Sequence, residues 1–290
     1  MLLVCFHASA TASSAALAGF ASPFVKVACL FRTSSVAAMS DAPSADNFLR
    51  WGRVRSIVLN DFLYLDGVEL SQLDDGQLRL GLPINSTVSI DLRTSWATNN
   101  APHRALPKPR EAPRTNFPVA WTDTKRGVFF SWADHHTFLD FSPTGLWMFK
   151  TDGADGGSWT DETSSNANPD FFKQLHSPVL GAAVTINDTI GLYLGGYVNA
   201  CTELGRTDTM YIPGMVAFNM SDRTWYSGIV GFSPFGDASL LGSRAEYIPS
   251  YGPSGLVIVL GGTQSYPFFD FRTLEPSPFS ILSPRKRTSK

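Results

Sequence analysis

The sequence predicts an all-β chain built as a β-propeller, and three observations carry that prediction. Charged residues make up only 17% of the 290 residues while aromatics reach 12%, and 24 Gly and 19 Pro supply turn material; short strands joined by tight turns have this composition. One arrangement recurs four times: two apolar runs joined by a turn, a small-residue stop, a polar stretch, then a third apolar run that leads towards a tryptophan. The spacing of that arrangement is regular. Gly67, Ala133, Gly196 and Gly262 follow one another at intervals of 66, 63 and 66 residues, and Trp96, Trp159 and Trp225 at 63 and 66. Two independent markers that keep phase define a structural repeat. Each unit holds four short strands, a sheet too small to stand alone, and such sheets gain stability by stacking as propeller blades.

The third unit, Ala182 to Trp225, shows the plan most fully. Ala182–Ile186 reads as one strand, Asn187-Asp188 as a turn, and Leu192–Leu194 as a second strand that stops at Gly195-Gly196. Met215–Phe218, a Ser221-Asp222 turn and Trp225 complete it. The first unit runs from near Trp51 through Ser56–Leu59, Asn60-Asp61, Phe62–Gly67 and Val88–Leu92 to Trp96, and the second from Val119 through Val128–Ala133 and Leu146–Phe149 to Trp159. The fourth is Ala245–Ile248, a Gly-Pro-Ser-Gly turn, and Leu256 to Gly261-Gly262. Glycine at the second-strand stop permits positive φ and close backbone approach. The tryptophans are expected to pack between neighbouring blades. Trp132-Ala133 stands where glycines are expected, so the inner loop of the second unit should take another conformation.

About three and a half blades are visible, because the next tryptophan would fall near position 291, past Lys290. The expectation is therefore an incomplete, apparently truncated ring, closed by self-association or by a partner, or left with an open sheet edge. Residues 1–46 read as a targeting, disordered or mis-assigned segment; 47–270 as the blades; 271–290 as a disordered basic tail with Arg285-Lys286-Arg287, in which no third strand is evident. No apolar run is long enough to span a membrane. A net charge of −2 gives no basic stripe for nucleic acid. Cys5, Cys29 and Cys201 lack metal-type spacing.

The repeat resembles the kelch repeat. Leu192-Tyr193-Leu194-Gly195-Gly196 with Phe218 to Trp225 carries the resemblance, and Val259-Leu260-Gly261-Gly262 repeats part of it. The stretch from Phe48 to about Gly262 is similar to the long-blade kelch proteins of filamentous fungi, with Arg50-Trp51-Gly52 and Leu63-Tyr64-Leu65-Asp66-Gly67 matching their early elements. The resemblance implies a secreted or cell-surface protein, with a cytoplasmic one as the alternative. It also implies a non-enzymatic module that binds another protein or a cell-wall glycan through loops such as Glu69–Pro83, Asp134–Thr144 and Tyr197–Pro213.

Catalytic patterns are weak. His135-His136 is the only paired histidine and suggests a copper-radical, galactose-oxidase-like enzyme as the alternative, but His7, His103 and His176 are scattered. A glycan-active reading has its nearest support in Thr151 to Trp159, which misses the Asp-box spacing by one residue. No phosphate-loop, nucleophile-elbow or zinc-protease motif occurs. No catalytic residue, metal ligand or cofactor is assigned. Asn85, Asn187 and Asn219 head N-x-[ST] sequons and are the glycosylation candidates.

Overall fold

The computed structural model describes residues 48–260, apart from short breaks and longer ones at 137–144 and 229–241, together with 280–282. All of them belong to one compact unit, Thr33–Lys290. Gly261 and Gly262 lie outside the described residues.

The first repeat holds β1 (Phe48–Gly52), β2 (Arg55–Leu59), β3 (Phe62–Asp66), β4 (Glu69–Asp74), β5 (Gln77–Leu82), β6 (Ser86–Asp91) and β7 (His103–Pro107). The second holds β8 (Thr115–Asn116), β9 (Val119–Asp123), β10 (Val128–Trp132), β11 (His135–His136), β12 (Trp147–Thr151) and β13 (Gly157–Asp161). A one-turn helix, α1 (Pro169–Phe172), precedes the third, which holds β14 (Ala182–Ile186), β15 (Ile190–Leu194), β16 (Tyr197–Val198), β17 (Met210–Tyr211), β18 (Met215–Asn219) and β19 (Thr224–Gly228). The fourth holds β20 (Arg244–Ile248), β21 (Leu256–Leu260) and β22 (Ser280–Leu282).

Three four-stranded antiparallel meanders result: β2-β3-β6-β7, β9-β10-β12-β13 and β14-β15-β18-β19. A three-stranded sheet, β20-β21-β22, follows. The fold is propeller-like, and among the described residues the sheets do not close into a ring. The first strands of successive repeats touch, β2 against β9, β9 against β14 and β14 against β20, so they form the inner wall of the stack. Ser280–Leu282 corrects the expectation that nothing after residue 270 forms a third strand: it pairs with Val257–Val259. Three residues are too few to display a period-two pattern in the sequence.

Turn chemistry sets the register of the first hairpins. Asn60 and Asp61 (φ 51° and 64°) and Asn187 and Asp188 (φ 51° and 54°) all adopt left-handed backbone. Positive φ at both central positions is the type I′ geometry that matches strand twist, and Asn and Asp tolerate it best. At the other end of each hairpin the chain passes a left-handed break at Gly67, Ala133 or Gly195-Gly196. Ala133, at φ 51°, keeps the turn that glycine makes elsewhere, which corrects the expected change of loop conformation. An L-residue there carries about 1–2 kcal/mol of steric cost. Beyond the break each hairpin resumes as a second ladder: Gly52 opposite Glu69, Asn116 opposite His135, and Val179 opposite Tyr197.

Alternation along each strand assigns side chains to the spaces between sheets. In β10 all five residues are buried, because the sheet has neighbours on both faces. Phe129 joins Ile57, Leu59, Phe62, Tyr64, Phe149 and Trp159 between the first two sheets. Phe130 and Trp132 join Trp121, Phe218 and Trp225 between the second and third. Beyond them, Val184, Leu192 and Leu194 meet Ala245, Val257 and Val259. Gly191 is required by this stacking, since a Cβ there would lie 2.3 Å from the Trp121 ring. Trp121 also donates its indole N–H to the Leu192 carbonyl at 3.1 Å.

Candidate functional site

The four inner strands bring their first residues to one end of the stack. Arg55 opens β2 and pairs with Asp66, the residue before Gly67; Arg244 opens β20 and pairs with Leu260, the residue before Gly261. The two arginines therefore occupy the same place in their repeats, where the second and third repeats carry Val119 and Ala182. Around these strand starts lies a cavity of about 510 Å³, walled by Arg55, Arg244, Glu246, Val119, Gly181 and Tyr193. A groove of about 610 Å³ continues from it between the inner strands, past Val58 and Thr122 to Asp188 and Tyr247. Together they form an axial channel with a polar mouth.

The mouth has a defined electrostatic character. Desolvation pulls the Arg55 guanidinium down from the usual arginine value to about 10; Arg244 adds to that shift, while Tyr193 and Asp66 oppose it. Arg55 stays charged at neutral pH. Burial drives the Tyr193 phenol well above its ordinary value. Its hydroxyl donates to the Pro178 carbonyl at 3.2 Å and accepts from the Gly181 N–H at 2.8 Å, so it stays protonated and holds the start of β14 against the end of β15.

The loops expected to form a binding face emerge at this same end, because they follow the second strand of each repeat. Of Glu69–Pro83 the described parts are β4 and β5, paired antiparallel and extended by β1. Within Tyr197–Pro213, β16 pairs with β17, and Cys201, between them in the chain, is half-buried. Of Asp134–Thr144 the described part is His135–His136, paired as backbone with Thr115–Asn116. His103 and His176 lie elsewhere, on β7 and beside Glu203. Among the described residues no three His, Cys, Asp or Glu side chains converge.

A second cavity, of about 530 Å³, lies under the segment linking the second and third sheets, with Trp132, Phe172, His176 and Glu203 in its wall. Burial there pushes the Glu203 carboxyl up, but hydrogen bonds from Arg206 (2.8 Å) and His176 (2.8 Å) outweigh it and hold the carboxyl below its usual range.

The remaining sequence markers separate into three groups. Trp159 and Trp225 lie on outer strands and are buried between sheets. Trp96 does not: it falls in the link between β6 and β7, half-buried, with its indole N–H donated to the Asp91 carbonyl at 2.9 Å. The outer strand of the first sheet, His103–Pro107, contains no tryptophan. Of the sequon asparagines, Asn187 is exposed on its turn, with its amide oxygen accepting from the Tyr247 hydroxyl at 3.1 Å. Asn85 is half-buried and its amide oxygen takes two bonds from Arg114, at 2.9 and 2.6 Å. Asn219 is half-buried in a turn closed by its own side chain, with the Ser221 N–H on its oxygen at 3.0 Å.

Sequence reasoning missed the axial mouth. Its signal was the recurrence of arginine at one repeat position in the first and fourth units. Among the described residues no helix is long and apolar enough to cross a membrane.

No protein-family model and no curated protein matches the chain. Among solved structures, that of YjhT is similar with a TM-score of 0.46 and 11% identity over 72% of this chain; the chain spans 58% of that structure's length.

Proposed function

We propose that this chain is a non-enzymatic kelch-type propeller module, secreted or displayed at a fungal cell surface, that binds another protein or a cell-wall glycan. The binding face is the end of the stack where the strand-two connections and the axial mouth meet. One observation supports the choice of face above the others: three repeats in succession extend their first hairpin beyond the left-handed break at that end, which raises backbone and side chains around a ready-made cavity. Rigid sheets carrying variable connections are the usual arrangement of binding loops. Asn187 supports the secreted part of the reading, since it offers an exposed sequon.

The test is a shortened variant in which the β4–β5 hairpin is replaced by a tight turn, compared with the full chain on immobilised cell-wall polysaccharides and by cross-linking on the producing cells. The reading expects binding by the full chain and its loss in the variant, with circular dichroism unchanged. Retention of all binding in the variant would move the site elsewhere. Stoichiometric copper uptake that a His135→Ala/His136→Ala double variant abolishes would replace the binding module with the oxidase-like alternative.

A further inference from the structure

We infer that two copies of this chain close one ring, the open face of the fourth sheet in each copy docking on the open face of the first sheet in the other. The inference goes beyond the proposed function and rests on the fold alone: it selects a second copy from the closures that the sequence leaves open. Strand register defines the two faces. In the first sheet Ile57, Leu59, Phe62 and Tyr64 face the second sheet; Val58, Leu63, Leu65 and Ile90 share the opposite face. In the fourth sheet Ala245, Val257 and Val259 face the third; Ile248, Ile258 and Leu260 share the opposite face. None of these opposite-face residues belongs to a core cluster. Val58, Ile248 and Leu260 are 60%, 37% and 41% exposed, whereas in β10, between two sheets, every residue is buried. Apolar residues gathered on an open sheet face mark an interaction surface.

The internal seams define what fits these faces. Ile258 and Leu260 hold the third and fifth positions of their strand, the places of Tyr64 in β3 and of Phe130 and Trp132 in β10. Leu65 holds the place of Tyr193. Ile90, paired with Leu63, holds the place of Phe149, paired with Phe129, and of Phe218, paired with Gly191. Across the internal seams these places meet. Tyr64 lies 5.2 Å from Phe149, Phe130 5.4 Å from Phe218 and Trp132 6.0 Å from Tyr193, centroid to centroid. The same rule sets Ile258 on Ile90 and Leu260 on Leu65 across the new seam. The two open faces are therefore the two halves of one further seam, and a second copy supplies both halves at once. Each copy contributes four stacked sheets, so two copies make eight, inside the range of about 4–8 blades in which propellers close. A head-to-tail contact that repeats after half a turn closes on itself. Arg244 and Glu246, the charges on the fourth sheet's open face, stand on the inner strand and line the axial cavity, where they keep access to water. The seam then buries aliphatic side chains without rings or polar locks, which gives reversible association.

Sedimentation equilibrium of the full chain across a wide range of concentration tests the inference, and a reversible monomer–dimer equilibrium with no larger species is expected. Leu260→Arg and Leu65→Glu each place a charge in both seams of a dimer and should each weaken association at least about a hundredfold. Mixing the two variants should restore it, because the mixed dimer gathers both substitutions in one seam and leaves the other intact. Restored association also shows that each variant folds. Tyr226→Ser, at a side chain 52% exposed but on the outer strand β19, should associate like the unaltered chain. A monomer at every concentration, assembly that continues past the dimer, or a dimer that Leu260→Arg leaves unweakened would overturn the inference. So would a mixture no more associated than either variant alone while circular dichroism shows both variants folded.

Discussion

The seam between the second and third sheets and the seam between the third and fourth share one sheet but are built differently. The first is aromatic and closed by polar locks. Trp132 and Phe218 lie 4.9 and 4.5 Å from Trp225, centroid to centroid. The Trp225 indole donates to Asn166 at 2.6 Å, and Asn168 bonds both backbone groups of Trp225, at 2.8 and 3.0 Å. Arg126 and Arg223 reach across to the Met220 carbonyl and to Glu162. The second seam is aliphatic, Val184, Leu192 and Leu194 against Ala245, Val257 and Val259, with two described polar ties, the Tyr247 hydroxyl to Asn187 at 3.1 Å and the Gly242 N–H to the Leu180 carbonyl at 2.7 Å. Large rings with satisfied polar edges fix a single arrangement, whereas small aliphatics contribute burial with little orientation. The stack is therefore anchored at its middle.

Trp225→Ala should show the largest effect, about 3–5 kcal/mol lost in urea unfolding, against about 2 kcal/mol for Val257→Ala. Equal losses would erase the distinction between the seams. The seam between the first and second sheets extends the comparison through a buried ion pair. Lys108 meets Asp66 at 2.6 Å with both side chains under 5% exposed, and stacks 5.0 Å from the Trp159 ring. Thr87 donates to Asp66 and accepts from the Trp159 indole. Lys108→Met leaves a buried carboxylate and should cost about 3–5 kcal/mol, most of it regained when Asp66→Leu is added. Failure of the double variant to recover would mean that the pair contributes net stability beyond its own desolvation.

Two substitutions at the left-handed breaks give smaller effects. Gly196→Ala places a Cβ 2.5 Å from the Val179 carbonyl at φ +87°, a change expected to raise the urea sensitivity by about 1–3 kcal/mol. Ala133→Gly relieves left-handed strain but removes a buried methyl and loosens the unfolded chain, so thermal unfolding should register a change below about 1 kcal/mol.

Sequence reading reached the repeat because its determinants are local. Asn-Asp pairs specify type I′ turns, and buried tryptophans recur where two outer strands recur. It placed Trp96 wrongly because equal spacing does not guarantee equal structure: the link after β6 is long in the first repeat, where Arg93 bonds Asp91 at 2.7 Å and the outer strand begins only at His103. In the second and third repeats the ladders beyond the break read as loops because β8, β11, β16 and β17 have two residues each, too few for a pattern; β4 and β5 of the first repeat have six residues each, and the alternating Leu78, Leu80 and Leu82 of β5 carry the signal that the loop reading overlooks. The axial mouth depends on Arg55 and Arg244 walling one cavity, a relation that only the stacking of four repeats produces.

Hydrogen exchange is the most direct test of an anchored middle. Amides of β10, Val128–Trp132, sit in a sheet covered on both faces and should exchange only through global unfolding. Those of β21, Leu256–Leu260, should exchange at least about tenfold faster through local opening of the fourth sheet. Equal protection of β10 and β21, or greater protection of β21, would contradict the account.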